Sequence, residues 1–234
     1  MNKKSRRKTR EEFMAMADKL NRQPKFLKLD DPRLTDKLPD PLTNDMIYTP
    51  KQVVEDMLDL LPEEIWSDPN ATFLDIVSKS GIFLDRTYFR LFNGLRKVIP
   101  DHYDRRRHIL TKQLYGVVST DECLNTTKLL LYGSTKANDK YSYVGGFWDK
   151  DNIDGNIKHF GRCVGMVDKK GRTKYREFFE IVSQDDNAAF EMTKRFAKEV
   201  LNNMKFDVVV GNPPYNRGMD LDFVNLGFNI CKKY

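Results

Sequence analysis

The stretch Phe206-Asp207-Val208-Val209-Val210-Gly211-Asn212-Pro213-Pro214-Tyr215 decides how the chain is read. Residues 206–210 are almost wholly apolar, as a strand buried on both faces of a parallel sheet must be. Gly211 and two prolines end it. Pro213 and Pro214 fix φ and remove two backbone donors, and they push the residues before them toward extended backbone. The product is a stiff ledge of acceptors, the Asn212 side-chain oxygen and the Pro213 carbonyl, with the Tyr215 ring beside it. A flat base could stack on such a ring while its exocyclic amino group donates to the ledge. Open α/β sheets bind ligands at the carboxyl ends of their strands, which is where this ledge falls.

Working outward, the chain alternates helices and strands. Thr49 suits an N-cap and Pro50 the first helical position. Val53, Val54, Met57, Leu58 and Leu61 then recur at helical spacing. Residues 72–76 (TFLDI) read as a buried strand. Ser78-Lys79-Ser80-Gly81 reads as a small-residue turn, and Ile82 to Phe92 as a helix. Residues 113–118 (QLYGVV) read as a second strand and Leu124 to Tyr132 as its following helix. Residues 133–176, rich in Gly, Lys, Asp and Asn, read as an insertion. Residues 177–182 (EFFEIV) are expected to form a third strand, Phe190 to Met204 an amphipathic helix, and 221–231 a final helix. Such alternation implies an α/β fold with a parallel sheet covered by helices.

The 234 residues include 40 Lys and Arg against 34 Asp and Glu, a net charge of +6. Lys3, Lys4, Arg6, Arg7, Lys8 and Arg10 account for the whole excess, so the body is neutral and the tail basic. A tail of this kind is either a solvated extension or a phosphate-contacting arm. Residues 11–22 have helical spacing, and four prolines within 23–47 mark a connector. Arg105-Arg106-Arg107, with His102 and His108, carries the same two readings as the tail, and a solvated helix face is the one expected. Three scattered cysteines offer no disulfide framework, and the expectation is a reduced, cytoplasmic chain. No stretch has the roughly 20 apolar residues that span a bilayer. His159 and Cys163 are two isolated ligand types, and no metal site is expected from them.

Asn212-Pro213-Pro214-Tyr215 resembles the amino-methyltransferase signature of S-adenosylmethionine-dependent enzymes. Asp75-Ile76-Val77-Ser78-Lys79-Ser80-Gly81-Ile82-Phe83-Leu84 resembles that family's cofactor loop, DPACGSGxFL, with Asp75, Ser80, Gly81, Phe83 and Leu84 matching. Lys79 stands in place of a glycine, which an ordinary φ would allow. Tyr48-Thr49-Pro50 before a helix resembles the family's N-terminal cofactor motif. The order of the three motifs is similar to that of gamma-class DNA adenine-N6 methyltransferases of restriction–modification systems. Residues 128–142 and 221–227 also look like large methylases of that group.

That resemblance implies a Rossmann-like methyltransferase sheet in residues 46–234, preceded by an extension over 1–45 and carrying the insertion near 133–176. It implies S-adenosyl-L-methionine as cofactor, double-stranded DNA as partner and direct methyl transfer to a flipped adenine on Asn212, Pro213, Pro214 and Tyr215. Tyr48, Thr49, Asp75, Ser80, Gly81 and Phe83 are the implied cofactor contacts. Asp121 is the implied ribose acid, or else a cap of the helix that follows, and Asp185 is the implied adenine contact. In the family the sheet continues with further strands and a target recognition region. The strand at 206–210 is therefore expected to be an apolar edge, completed by a second chain or by a longer form of this one. Glutamine-N5 or RNA amino-methyl transfer is an alternative, as is a catalytically silent binding protein.

Overall fold

The computed structural model describes residues 49–182, 188–215 and 218–234. Tyr48, Asp185, the basic tail, the expected helix at 11–22 and the proline-rich connector lie outside the described residues. The elements run α1 (Lys51–Leu58), a 3-10 turn (Glu63–Ser67), β1 (Phe73–Ser78), α2 (Ile82–Gly94), α3 (His102–His108), β2 (Leu114–Val118), α4 (Asp121–Tyr132), β3 (Ile157–His159), α5 (Phe160–Cys163), α6 (Tyr175–Val182), α7 (Ala188–Glu199), β4 (Val208–Val210) and α8 (Met219–Ile230).

The four strands are all parallel, in the order β3-β2-β1-β4. Every residue of β1 is buried, Asp75 and Ser78 among its four apolar residues, as befits the strand between β2 and β4. Leu74 and Ile76 of β1 enter one large core with Val117, Phe160, Phe178, Phe196, Phe206, Phe223, Leu226 and Ile230. Phe160 organises it, with the rings of Tyr175 and Phe178 4.9 Å and 5.0 Å away. On α2, Ile82, Phe83, Leu84, Thr87 and Leu91 are buried, and this helix contacts β1, β2, α1 and α4. The result is the Rossmann-like arrangement, a parallel sheet flanked by helices.

Residues 177–182 are not a strand. They lie in α6, where Tyr175, Phe178, Phe179 and Val182 form a buried stripe at helical spacing and Arg176, Glu177 and Glu180 face outward. The third strand is instead Ile157–His159, inside the segment read as an insertion. The helix after α6 ends at Glu199, earlier than its apolar spacing suggested, and Asn202 and Asn203 turn the chain with φ of 51° and 62°. Asparagine enters the left-handed region more readily than most residues.

Arg105 and Arg106 do not form a solvated face. Each is 5% exposed. Arg105 donates to the Ile99 carbonyl at 2.9 Å and lies over the Phe92 ring, and Arg106 donates to the Tyr88 hydroxyl and lies over Tyr143. Their planar cations are held by carbonyls and rings, which makes burial tolerable. Only Arg107 of the three is exposed, paired with Asp104.

The β4 edge is also less open than expected. Phe206 N donates to Ile230 O, Lys232 N to Phe206 O, Tyr234 N to Asp207 O and Val209 N to Tyr234 O, at 2.7–3.0 Å. Residues 230–234 thus run parallel to the start of β4 and satisfy its outer backbone.

Asp207 fastens β4 to β1 at their amino ends. Its carboxylate accepts from the Thr72 N–H and hydroxyl at 3.0 Å and 2.9 Å. Burial opposes its charge, but the Thr72 donors and the nearby Lys232 and Lys233 outweigh it and hold the carboxyl below its usual range. A depressed acid stabilises the fold above its unfolded pKa and loses that contribution as pH falls through its folded pKa. Asp207→Ala should therefore lower unfolding free energy at pH 7 by about 1–3 kcal/mol. The gap to wild type should narrow on acidification below the ordinary carboxylate range. Urea melts at the two pH values measure it, and a gap that persists in acid would contradict the charged role.

Candidate active site

The carboxyl ends of β1 and β4 place two loops side by side. The strands are in register with Asp75 beside Val210, two residues before Asn212. Gly211 takes φ of 153°, and a Cβ there would lie 3.2 Å from Asp75 Oδ1. Only glycine lets this backbone pass so close to the carboxylate.

Asp75 is 2% exposed. Among the described residues its Oδ1 has no hydrogen-bond partner. Burial raises the Asp75 pKa to about 7, outweighing the Ser78 hydroxyl, the Val77 N–H and Lys79, which favour the charge. An orphaned carboxylate oxygen inside a folded chain is costly, and it marks a place where a ligand's donors would be stabilised.

The turn that follows is built for close approach. Gly81 is left-handed, with φ of 79°, and a Cβ on it would meet Thr127 Cα at 3.3 Å. Gly81 caps α2 without any side-chain hydrogen bond, so the first N–H groups of a 13-residue helix lack a side-chain acceptor. Such a terminus favours an anion or a hydroxyl acceptor. Lys79 does not take a left-handed conformation, since the described non-glycine residues with positive φ are Asn202 and Asn203. The turn therefore needs glycine at 81 and not at 79. Lys79 and Ser80 are 8% and 6% exposed. Phe83 is 3% exposed and belongs to the buried face of α2.

Thr49 is not an N-cap. Pro50 occupies that position, with φ −57° and ψ 143°, and α1 begins at Lys51 without a side-chain cap. The Thr49 hydroxyl instead accepts from Asn212 Nδ2 at 3.0 Å. Tyr215 donates its hydroxyl to Asn212 Oδ1 at 2.6 Å. Two motifs 163 residues apart are thus joined through one amide. Pro214 is buried, Asn212 and Pro213 are half-buried, and Tyr215 is 59% exposed.

Asp121 stands in the first turn of α4, beyond the end of β2, while Thr120 caps that helix by accepting from Cys123 N. Asp121 is ion-paired to Arg162 and lies 3.7 Å from His159 Nε2. His159 Nδ1 accepts from Arg162 N, which leaves Nε2 to donate to the Gly171 carbonyl at 3.0 Å. Burial lowers the His159 pKa. Arg162 was not legible as a site residue, because its partner lies 41 positions away and the strand that leads into its helix, β3, is three residues long.

The chain resembles known proteins. Residues 112–232 match the family described as Eco57I restriction-modification methylase. The chain belongs to the Eco57I restriction-modification methylase family. It is also 33% identical over 210 residues to a protein of Mycoplasma pneumoniae (strain ATCC 29342 / M129 / Subtype 1) named "Uncharacterized adenine-specific methylase". That similarity covers 76% of this chain, and the chain spans 48% of the relative's length. The family match begins just before β2 and ends in the segment paired with β4, so it takes in the Asn212–Tyr215 ledge.

In this Eco57I-family site the buried acid gives a pH signature. Because Asp75 holds its proton up to about pH 7, the folded state binds a proton that the unfolded state releases near pH 4. Stability should therefore fall as pH rises from 4 to 7 and level off above that. Each unit is about 1.4 kcal/mol, so the loss through this residue should reach a few kcal/mol. Asp75→Asn should remove that slope in urea melts, whereas parallel wild-type and variant profiles would show that Asp75 ionises normally.

Proposed function

We propose that the described residues form the cofactor-holding and methyl-accepting part of an S-adenosyl-L-methionine-dependent DNA methyltransferase that modifies the N6 amino group of adenine. The observation that carries this reading is the Thr49–Asn212–Tyr215 hydrogen-bonded group standing beside the unsatisfied Asp75 carboxylate and the open α2 terminus. Family membership and the adenine-specific relative support it. The catalytic unit is assigned to residues 46–234.

Asp75, Ser80 and Gly81 fit the cofactor as holders, with Thr49, Phe83 and Asp121 at its margins. The orphaned Asp75 oxygen suits a cationic ligand with N–H donors, and the α2 terminus suits a carboxylate. When bound, S-adenosyl-L-methionine supplies a methyl group on a sulfonium whose leaving group is a neutral thioether. Everything else is positioning by the chain. Asn212 Oδ1 and the Pro213 carbonyl accept the two N–H bonds of an adenine amino group. Those bonds turn the nitrogen lone pair out of ring conjugation and toward the cofactor side. The exposed Tyr215 ring offers a stacking face to a base taken out of the duplex. Asn212 and Pro213 continue to hold the amino group while it releases its surplus proton to water. A restriction–modification role implies double-stranded DNA as substrate. No helix among the described residues is long and apolar enough to cross a membrane.

A methyl-transfer assay with labelled cofactor on duplex DNA, RNA and a glutamine-bearing protein tests the reading. Label should enter the N6 position of adenine in duplex DNA. Asn212→Ala should lower that rate by a factor on the order of 100 or more while calorimetric cofactor affinity stays within about threefold. Asp75→Ala should abolish cofactor binding. Label entering RNA or protein alone, or full activity of Asn212→Ala, would refute the assignment.

A further inference from the structure

We infer that Thr49 is a positioning residue, which fixes the rotation of the Asn212 amide so that its oxygen and not its nitrogen faces the substrate amino group. This rests on the proposed transfer chemistry and assigns a new task to a residue otherwise expected to touch only the cofactor.

An asparagine amide has a broad, nearly two-fold torsion about its last bond, so the chain does not by itself decide which end points where. For amino transfer the difference is decisive. An oxygen accepts the substrate N–H, whereas the amide nitrogen would present N–H against N–H. In the structure the two ends of Asn212 meet two hydroxyls, Thr49 at 3.0 Å and Tyr215 at 2.6 Å. The lengths agree with this assignment. The longer one is typical of N–H···O and the shorter of O–H···O. Nitrogen thus points to the half-buried Thr49 and oxygen to the exposed Tyr215.

The two hydroxyls are not equivalent partners. Tyr215 takes one lone pair of the acceptor that an incoming amino group needs, and as the exposed partner it is the one to give way when the base arrives. Thr49 remains as the amide's partner among the described residues and opposes its rotation. Its location suits the task. Extended Pro50 keeps Thr49 out of the first turn of α1, and its hydroxyl is not engaged as a cap there. A threonine hydroxyl has one donor and two acceptor lone pairs. Accepting from Asn212 leaves its proton available to a neighbouring ligand, so a cofactor contact and the positioning role are compatible.

The test compares Thr49→Val, which keeps shape and loses the hydroxyl, with Thr49→Ser, which keeps the hydroxyl. The Asn212 side-chain amide is followed by 1H–15N NMR, assigned through its loss in Asn212→Asp. Thr49→Val should shift that amide and speed its hydrogen exchange, and Thr49→Ser should leave it in place. With duplex DNA and saturating cofactor, Thr49→Val should lower kcat about tenfold, as for one lost hydrogen bond. Its cofactor Kd should stay within about twofold, and Thr49→Ser should restore kcat. An unmoved Asn212 amide in Thr49→Val overturns the inference, as does a variant that loses cofactor affinity alone with kcat intact. If wild type transfers no methyl group to adenine, the proposed function fails. The amide signal still decides whether Thr49 orients Asn212.

Discussion

Parallel pairing of β1 with β4, Asp75 beside Val210, is the constraint on which the site depends. Both strands are largely buried, and their shared direction sends both following loops out of the same end. The turn at 78–81 and the ledge at 212–215 are therefore neighbours although more than 130 residues separate them in sequence. Asp207 and Thr72 anchor the opposite end of the same pair. The register also buries Asp75 against Gly211, which explains a glycine where any side chain would crowd the carboxylate. Burial disfavours the charged form more than Ser78, the Val77 N–H and Lys79 favour it. Stability is given up at that position in exchange for a group poised to meet donors.

The elements legible in the sequence are those with long, uninterrupted patterns. β1, β2 and β4 are apolar runs bounded by glycine or serine, and α1, α2 and α4 repeat apolar residues at helical spacing. β3 failed this test because three residues, Ile157 to His159, carry too little pattern within a Gly- and Lys-rich stretch. α6 was misread because the window 177–182 omitted Tyr175, the residue that completes its helical stripe. Arg105 and Arg106 were misread because their charge was visible and the rings that receive them were not.

The site was legible in its parts and not in its joins. The ledge and the small-residue turn at 78–81 could be read from residue type and spacing. Lys79 could not be judged until its backbone was seen to be ordinary, with the left-handed position taken by Gly81. Thr49 before Pro50 has the local signature of a cap, and nothing local reveals a hydrogen bond to Asn212. Tertiary contacts of this kind depend on how the strands are ordered in the sheet. The pairing of Asp121 with Arg162 is another, since it requires β3 to lie beside β2.

The two halves of the site differ in their resting energetics, and that difference orders events. Asn212 is satisfied at both ends, so a substrate amino group that displaces Tyr215 exchanges one hydrogen bond for another and gains little from that contact alone. Asp75 is unsatisfied, and a ligand that supplies a donor relieves a desolvation penalty of about 1–3 kcal/mol. On the proposed reading, binding free energy is therefore concentrated on the β1 side and selectivity on the β4 side. A base without an amino group would meet the Tyr215–Asn212 pair and offer it no donor. An exchange that is near neutral for the right group and unfavourable for the wrong one discriminates without needing tight binding. The arrangement keeps the ledge satisfied at rest and reserves its acceptor for a group that can replace what it displaces.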